Sequence, residues 1–240
     1  MSGSTSSGLY NFSLGNTSIM LEAFDRLQMR FPELNSHHLL SARTSMNLLF
    51  VEAENEGLNY WKIISGTIPL VAGQATYTLP TNLVTIEEVV YTTVNAYGSG
   101  VNSDRIMMPI QRTSYAELTN KLQQGVPTQY WAQMTYPQQL TIWEVPAAGQ
   151  VAPNFVLSWF GLQQMQDATM GQGETPDVPR RALDALCARM AMRLAEKFRP
   201  ELLKDKAMLA EAAWEKFQRR DQEPGPIYFQ PRVSVYGRMP

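Results

Sequence analysis

Hydrophobic positions change their period twice along the chain. Met20, Phe24, Leu27 and Phe31 recur at helical spacing, with Ser18 as the expected N-cap, and the Phe31-Pro32 pair closes this first predicted helix. A second helix is predicted to begin near Ser36. It places Leu39, Ala42, Met46, Leu49, Phe50 and Ala53 on one stripe and ends at Gly57, which tolerates the left-handed cap conformation. From Asn59 to about Trp159 the pattern alternates, with β-branched and aromatic residues between Gly, Pro and Asn. Seven strands are expected, at 60–68, 75–79, 85–93, 104–110, 129–134, 139–145 and 155–160, and their short connections favour antiparallel pairing. Ser114, Tyr115, Leu118 and Leu122 interrupt them as a short capped helix.

After a polar loop from Gln163 to Asp177 the helical period returns. Leu183, Cys187, Met190, Leu194 and Phe198 line one face, while Ala182, Ala185, Ala188 and Ala195 keep another face small enough for close helix approach. Arg199-Pro200 breaks that helix. Pro200 suits the first turn of the next, which carries Leu203, Ala210, Trp214 and Phe217 and is expected to stop by Pro224. Residues 224–240 hold four prolines, alternate apolar and polar positions, and have no acidic residue. They are read as a frayed tail or as a strand that needs a partner. The predicted class is α+β: a helical body (18–58 and 178–221), an inserted antiparallel β module (59–165), a flexible N-terminal arm (1–17) and an extended C-terminal arm (222–240).

A chain 44% hydrophobic and only 18% charged buries a core and is not a disordered polyelectrolyte. No apolar run reaches the roughly 18 residues of a membrane-spanning helix, and Ser2 to Gly8 lacks the basic and apolar blocks of a signal peptide, so no membrane association is expected. A single cysteine excludes an internal disulfide and a thiolate zinc cluster; Cys187, among Leu183, Leu186 and Met190, reads as an inert core thiol. Charge is uneven. Residues 1–179 carry 7 Lys/Arg against 14 Asp/Glu, and residues 180–220 carry 11 against 6. That asymmetry fits basic helix faces in solvent or a nucleic-acid surface.

No catalytic constellation emerges. His37 and His38, the only histidines, are adjacent at a helix start and point apart; Glu87 and Glu88 face opposite sides of a strand. Glu52, Glu54 and Glu56 spread around a helix as solubilising charge. Gly98-Ser99-Gly100 lacks the lysine of a phosphate loop, and Gly171-Gln172-Gly173 lacks a third glycine and a preceding strand. Tyr130, Trp131, Tyr136, Trp143, Phe155 and Trp159 offer base-stacking surfaces, but no basic residue lies between Lys121 and Arg180, which favours a β core or a subunit interface for Tyr130, Trp131, Trp143 and Trp159. No enzyme activity, cofactor or metal is expected.

Four local patterns in order carry a resemblance. They are Ser41-Ala42-Arg43-Thr44-Ser45-Met46-Asn47-Leu48-Leu49 with Leu58-Asn59-Tyr60-Trp61; Tyr77-Thr78-Leu79-Pro80 leading to Ile86-Glu87-Glu88-Val89; Pro109 to Tyr115, Gly125 to Trp131 and Leu140 to Pro146; and Asp177-Val178-Pro179 with Asp184-Ala185-Leu186 and the Ala-rich helix to Lys197. Over roughly residues 36–221 the chain resembles the podovirus head-to-tail adaptor family, also called head-completion, gatekeeper or tail tubular A-like proteins. The resemblance implies a homo-oligomeric ring, usually of twelve copies, docked under the portal protein, with tail nozzle or hub and tail fibre proteins below. Genomic double-stranded DNA would pass through its channel, weakly bound. Helix packing through Ala185, Ala188, Ala195 and Trp214 would serve neighbours within or between subunits. The arm would run along the portal, anchored by Ile227, Tyr228, Phe229, Arg232, Val233, Val235, Tyr236 and Arg238. Another tail-completion or minor virion protein, and a DNA-binding module on residues 180–220, remain alternatives.

Overall fold

The computed structural model describes residues 11–56, 60–94, 101–171 and 173–221. Two hydrophobic clusters organise them, one among helices and one between sheets. Helix α1 (Asn16–Arg26) starts after Gly15, whose extended backbone (φ −68°, ψ 159°) makes it the N-cap; Ser18 lies inside the helix and does not cap it. The Asn16 N–H donates to the carbonyl of Glu174, so a distant loop fixes where the helix begins. α1 buries Ile19, Met20, Ala23 and Phe24 and ends at Leu27. Phe31 is therefore not on its buried stripe. It opens a 3-10 turn with Pro32 and stands 70% exposed.

Helix α2 (Ser36–Asn55) is started by a reciprocal cap: Asn35 Oδ1 accepts from the His38 N–H, and His38 Nδ1 accepts from the Asn35 N–H. It buries Ala42, Met46, Leu49, Phe50 and Ala53, as its stripe predicts. The expected stop at Gly57 and the glycine loop at 98–100 lie outside the described residues.

The β module begins at Ile63. Sheet one has the order β1 (Ile63–Pro69), β10 (Phe155–Gln163), β3 (Leu83–Thr93), β4 (Ser103–Ile106), all antiparallel. Sheet two has the order β2 (Thr76–Thr78), β8 (Gln139–Trp143), β7 (Gln129–Gln133), β5 (Met108–Pro109). Leu70, Tyr77, Val89, Tyr91, Tyr130, Leu140, Ile142, Leu157 and Trp159 fill the space between them. Pairing is not antiparallel throughout: β5 runs parallel to β7, and the short β6 (Gln124–Gly125) runs parallel to β9 (Val145–Pro146). Helix α3 (Arg112–Glu117) starts after Gln111 rather than at a Ser114 cap, and Leu122 projects 71% exposed beyond it. Two glycines are dictated by neighbours. A Cβ on Gly66 would sit 2.5 Å from the Trp159 ring, and one on Gly161, at a bulge in the β10–β3 ladder, 2.6 Å from the Thr85 carbonyl.

Helices α4 (Leu183–Phe198) and α5 (Leu203–Gln218) complete the helical cluster, α4 packing on α1, α2 and α5. Pro200 occupies the first turn of the 3-10 segment that leads into α5. At the junction of helices and sheets, Trp61 meets Phe217 edge-on at 5.3 Å between ring centroids and donates from Nε1 to the Asp177 carbonyl. Lys62, buried, pairs with the Asp177 carboxylate. The polar loop after β10 is bound to α2: the Met165 N–H donates to Glu54, and Asn47 both accepts from the Ala168 N–H and donates to its carbonyl.

Candidate assembly surfaces

The side chains able to do chemistry have other employment. His38 caps α2, and both histidine rings lie against Phe198, at 4.8 Å for His38 and 6.4 Å for His37. Burial pushes the Cys187 thiol up to about 11, against the lowering effect of nearby Arg26, so it stays protonated and unreactive at neutral pH. Among the described residues no group of three or more His, Cys, Asp or Glu could hold a metal ion, and no helix is long and apolar enough to cross a membrane.

The uneven charge finds its explanation between helices. Glu52, Glu54 and Glu56 do not form a solvated face: Glu56 meets Arg189 at 2.7 Å, Glu52 pairs with Arg193, and Glu54 holds the loop at Met165. Arg26 of α1 bridges Glu22 and Asp184, each at 2.9 Å. Lys197 donates to Ser41 and Ser45 of α2. Two of the three cations of α4, Arg189 and Arg193, are thus neutralised by carboxylates of α2 inside one chain, which removes them from any DNA-facing surface. Arg189 also lies over the Trp214 ring, 4.1 Å from its centroid.

Ala185, Ala188 and Ala195 are all buried on α4 within the chain, and Trp214 is buried against Phe217 at 5.3 Å. In the β module Tyr130 and Trp159 belong to the inter-sheet core. Trp131 is half-buried and lies 5.3 Å from Tyr115; Trp143 is half-buried and donates from Nε1 to the Asn120 carbonyl. Of the four aromatics, only Trp131 and Trp143 retain exposed surface for a partner. Ile227, Tyr228, Phe229, Arg232, Val233, Val235, Tyr236 and Arg238 lie outside the described residues.

What the described surface offers is exposed apolar side chains in groups. Leu40, Leu48 and Val51 follow one another along the outer face of α2, opposite its buried stripe, and each is at least half exposed. On α5 the consecutive Met208 and Leu209 are also more than half exposed. On the module, Ile106 of edge strand β4 and Met108 of β5 stand out from the ends of the two sheets, and Met134 and Tyr136 project from the turn between β7 and β8. Sequence periodicity located the buried stripe of α2 but not its apolar outer face, because Leu40, Leu48 and Val51 blend into a helix that is hydrophobic on several sides.

No curated protein matches the chain. The family model described as SU10 adaptor protein matches residues 47–229, from within α2 through the whole β module to beyond α5. With both the helical cluster and the inserted sheets inside that match, the chain belongs to the SU10 adaptor protein family, a family of phage head–tail adaptors.

Proposed function

We propose that this protein is a non-enzymatic virion component that closes into a ring, of about twelve copies as in the podovirus adaptors it resembles, between the portal and the tail of a short-tailed phage. Its channel conducts the genomic DNA with weak contacts, and its outer loops receive tail nozzle or hub and tail fibre proteins. Assembly takes place in the host cytoplasm. The observation that carries the reading is a family match spanning both halves of the fold. The apolar outer face of α2 supports it, since a ring needs contact surfaces on opposite sides of each subunit rather than activated side chains.

The reading is tested by mixing the purified protein with the cognate portal and imaging the product by cryo-electron microscopy. A closed ring coaxial with the portal is expected. A protein that remains monomeric with the portal and co-purifies with another virion part overturns it. The arm is tested separately: deleting residues 225–240 leaves a folded body that loses portal attachment, with Tyr228, Phe229 and Tyr236 as the anchors whose truncation weakens binding most. Full retention of binding by the truncated chain refutes the arm's role.

A further inference from the structure

Once the ion pairs among α1, α2 and α4 are made, the cations left over at one end of the helical body gather around a single hollow. A cavity of about 230 Å³ lies between the start of α4 and the end of α5, lined by Arg181, Asp184, Ala185, Ala213, Lys216, Phe217 and Arg220. Its floor is apolar: Ala185 and Phe217 are buried and Ala213 is half-buried. Its rim is basic. Lys216 and Arg220 stand four residues apart on one face across the end of α5, both exposed, and neither meets a carboxylate among the described residues. Arg181 joins them from the 3-10 turn Arg180–Ala182 before α4 while pairing with Asp221, and Asp184, the one acidic rim residue among the described residues, is engaged by Arg26.

We infer that this hollow is a docking site for an acidic peptide segment of another virion protein, which seats one apolar side chain on Phe217 and sets its flanking carboxylates against Lys216, Arg220 and Arg181. The volume suits a single large side chain, and an apolar floor inside a ring of positive charge is complementary to a hydrophobic residue among Asp and Glu. The chain's own C-terminal arm is the wrong occupant by charge, because no acidic residue follows Glu223 and it carries Arg232 and Arg238. A DNA backbone is the wrong occupant by shape. Phosphate recognition has no use for a buried phenylalanine floor, and along α5 Asp205, Glu211 and Glu215 interrupt the row of cations that a duplex would need.

The experiment uses the full-length chain and a fluorescein-labelled peptide of alternating Glu and Asp around one central Phe, read by fluorescence anisotropy at low and at physiological salt. Binding is expected, with a loss of at least about tenfold for Lys216→Glu/Arg220→Glu and a clear weakening when the central Phe is replaced by Gly. Lys204→Glu, on the same helix but away from the hollow, leaves the affinity unchanged. Thermal melting confirms that the charge-reversed chain is folded; if it is not, Lys216→Gln/Arg220→Gln replaces it, with a smaller loss expected. The inference is overturned if the double variant binds as wild type, if Lys204→Glu weakens binding equally, or if short duplex DNA binds instead of the peptide with the same dependence on Lys216 and Arg220. Ring formation on the portal is read independently of all these outcomes.

Discussion

Replacing Glu56 with Gln should destabilise the protein by about 1 to 2 kcal/mol, because it strips a half-buried guanidinium of its counter-charge while keeping the shape of the side chain. Glu56 and Arg189 join α2 to α4 across 133 residues of sequence at 2.7 Å, with side-chain exposures of 29% and 13%. An exposed pair contributes about 0.2 to 1 kcal/mol, and removing one partner of a fully buried pair costs about 3 to 5 kcal/mol; this pair lies between the two limits. Its cost rises above the exposed-pair limit because Arg189 Nη1 is buried with no hydrogen-bond partner among the described residues, and once Glu56 is neutral the Trp214 ring is left to face the charge. The companion Glu52→Gln should cost less, Glu52 and Arg193 being 38% and 23% exposed. Urea unfolding of wild type, Glu56→Gln, Arg189→Met and the double variant measures the coupling, provided the m-value is constant across the set. A coupling below about 0.3 kcal/mol would refute the reasoning, since it would mean that solvent screens the pair as it does a surface one.

Gly161→Ala must push a methyl group into the Thr85 carbonyl, and a loss of about 1 to 3 kcal/mol in chemical unfolding is expected, with wild-type stability counting against the bulge geometry. Ala188→Trp overpacks a buried position of α4 and should lower stability or oligomerisation by a comparable amount; no change in either would show that this face is slack. The Cys187 thiol is held near 11 in the folded chain, above its unfolded value of about 8.5, so its contribution is complete below pH 8.5 and is lost as pH rises towards 11. Unfolding free energy should decline over that window in wild type and less steeply in Cys187→Ala, and equal slopes would place the titration elsewhere. Duplex DNA should bind weakly at physiological salt, and nanomolar affinity would favour a DNA-binding module over a conduit.

The long helices were legible because each presents a continuous buried stripe, and most strands because alternation survives on a sheet with one packed face. The ends of elements were less so. α1 stops at Leu27 because Gln28 adopts φ +59°, a backbone state that a glutamine does not advertise, and it starts where it does because a loop 158 residues away supplies a carbonyl. Side-chain function escaped more completely. Spaced two apart, Glu52, Glu54 and Glu56 look like a dispersed polar face; each finds its own partner only once α4 and the post-β10 loop are folded against α2. Long-range partners leave no local pattern, so the neutralisation of the basic helix was invisible to any reading of charge along the chain.

The β module enters and leaves the helical body through adjacent strands: Ile63 on β1 lies opposite Leu162 on β10, one ladder spacing of about 5 Å apart. A domain attached through two neighbouring strands makes little topological demand on its host. Such an insert can be exchanged, lengthened or reshaped without rethreading the helices, since the two cut ends already meet. A lineage carrying this fold can therefore keep one helical chassis while trading the inserted β cassette for another.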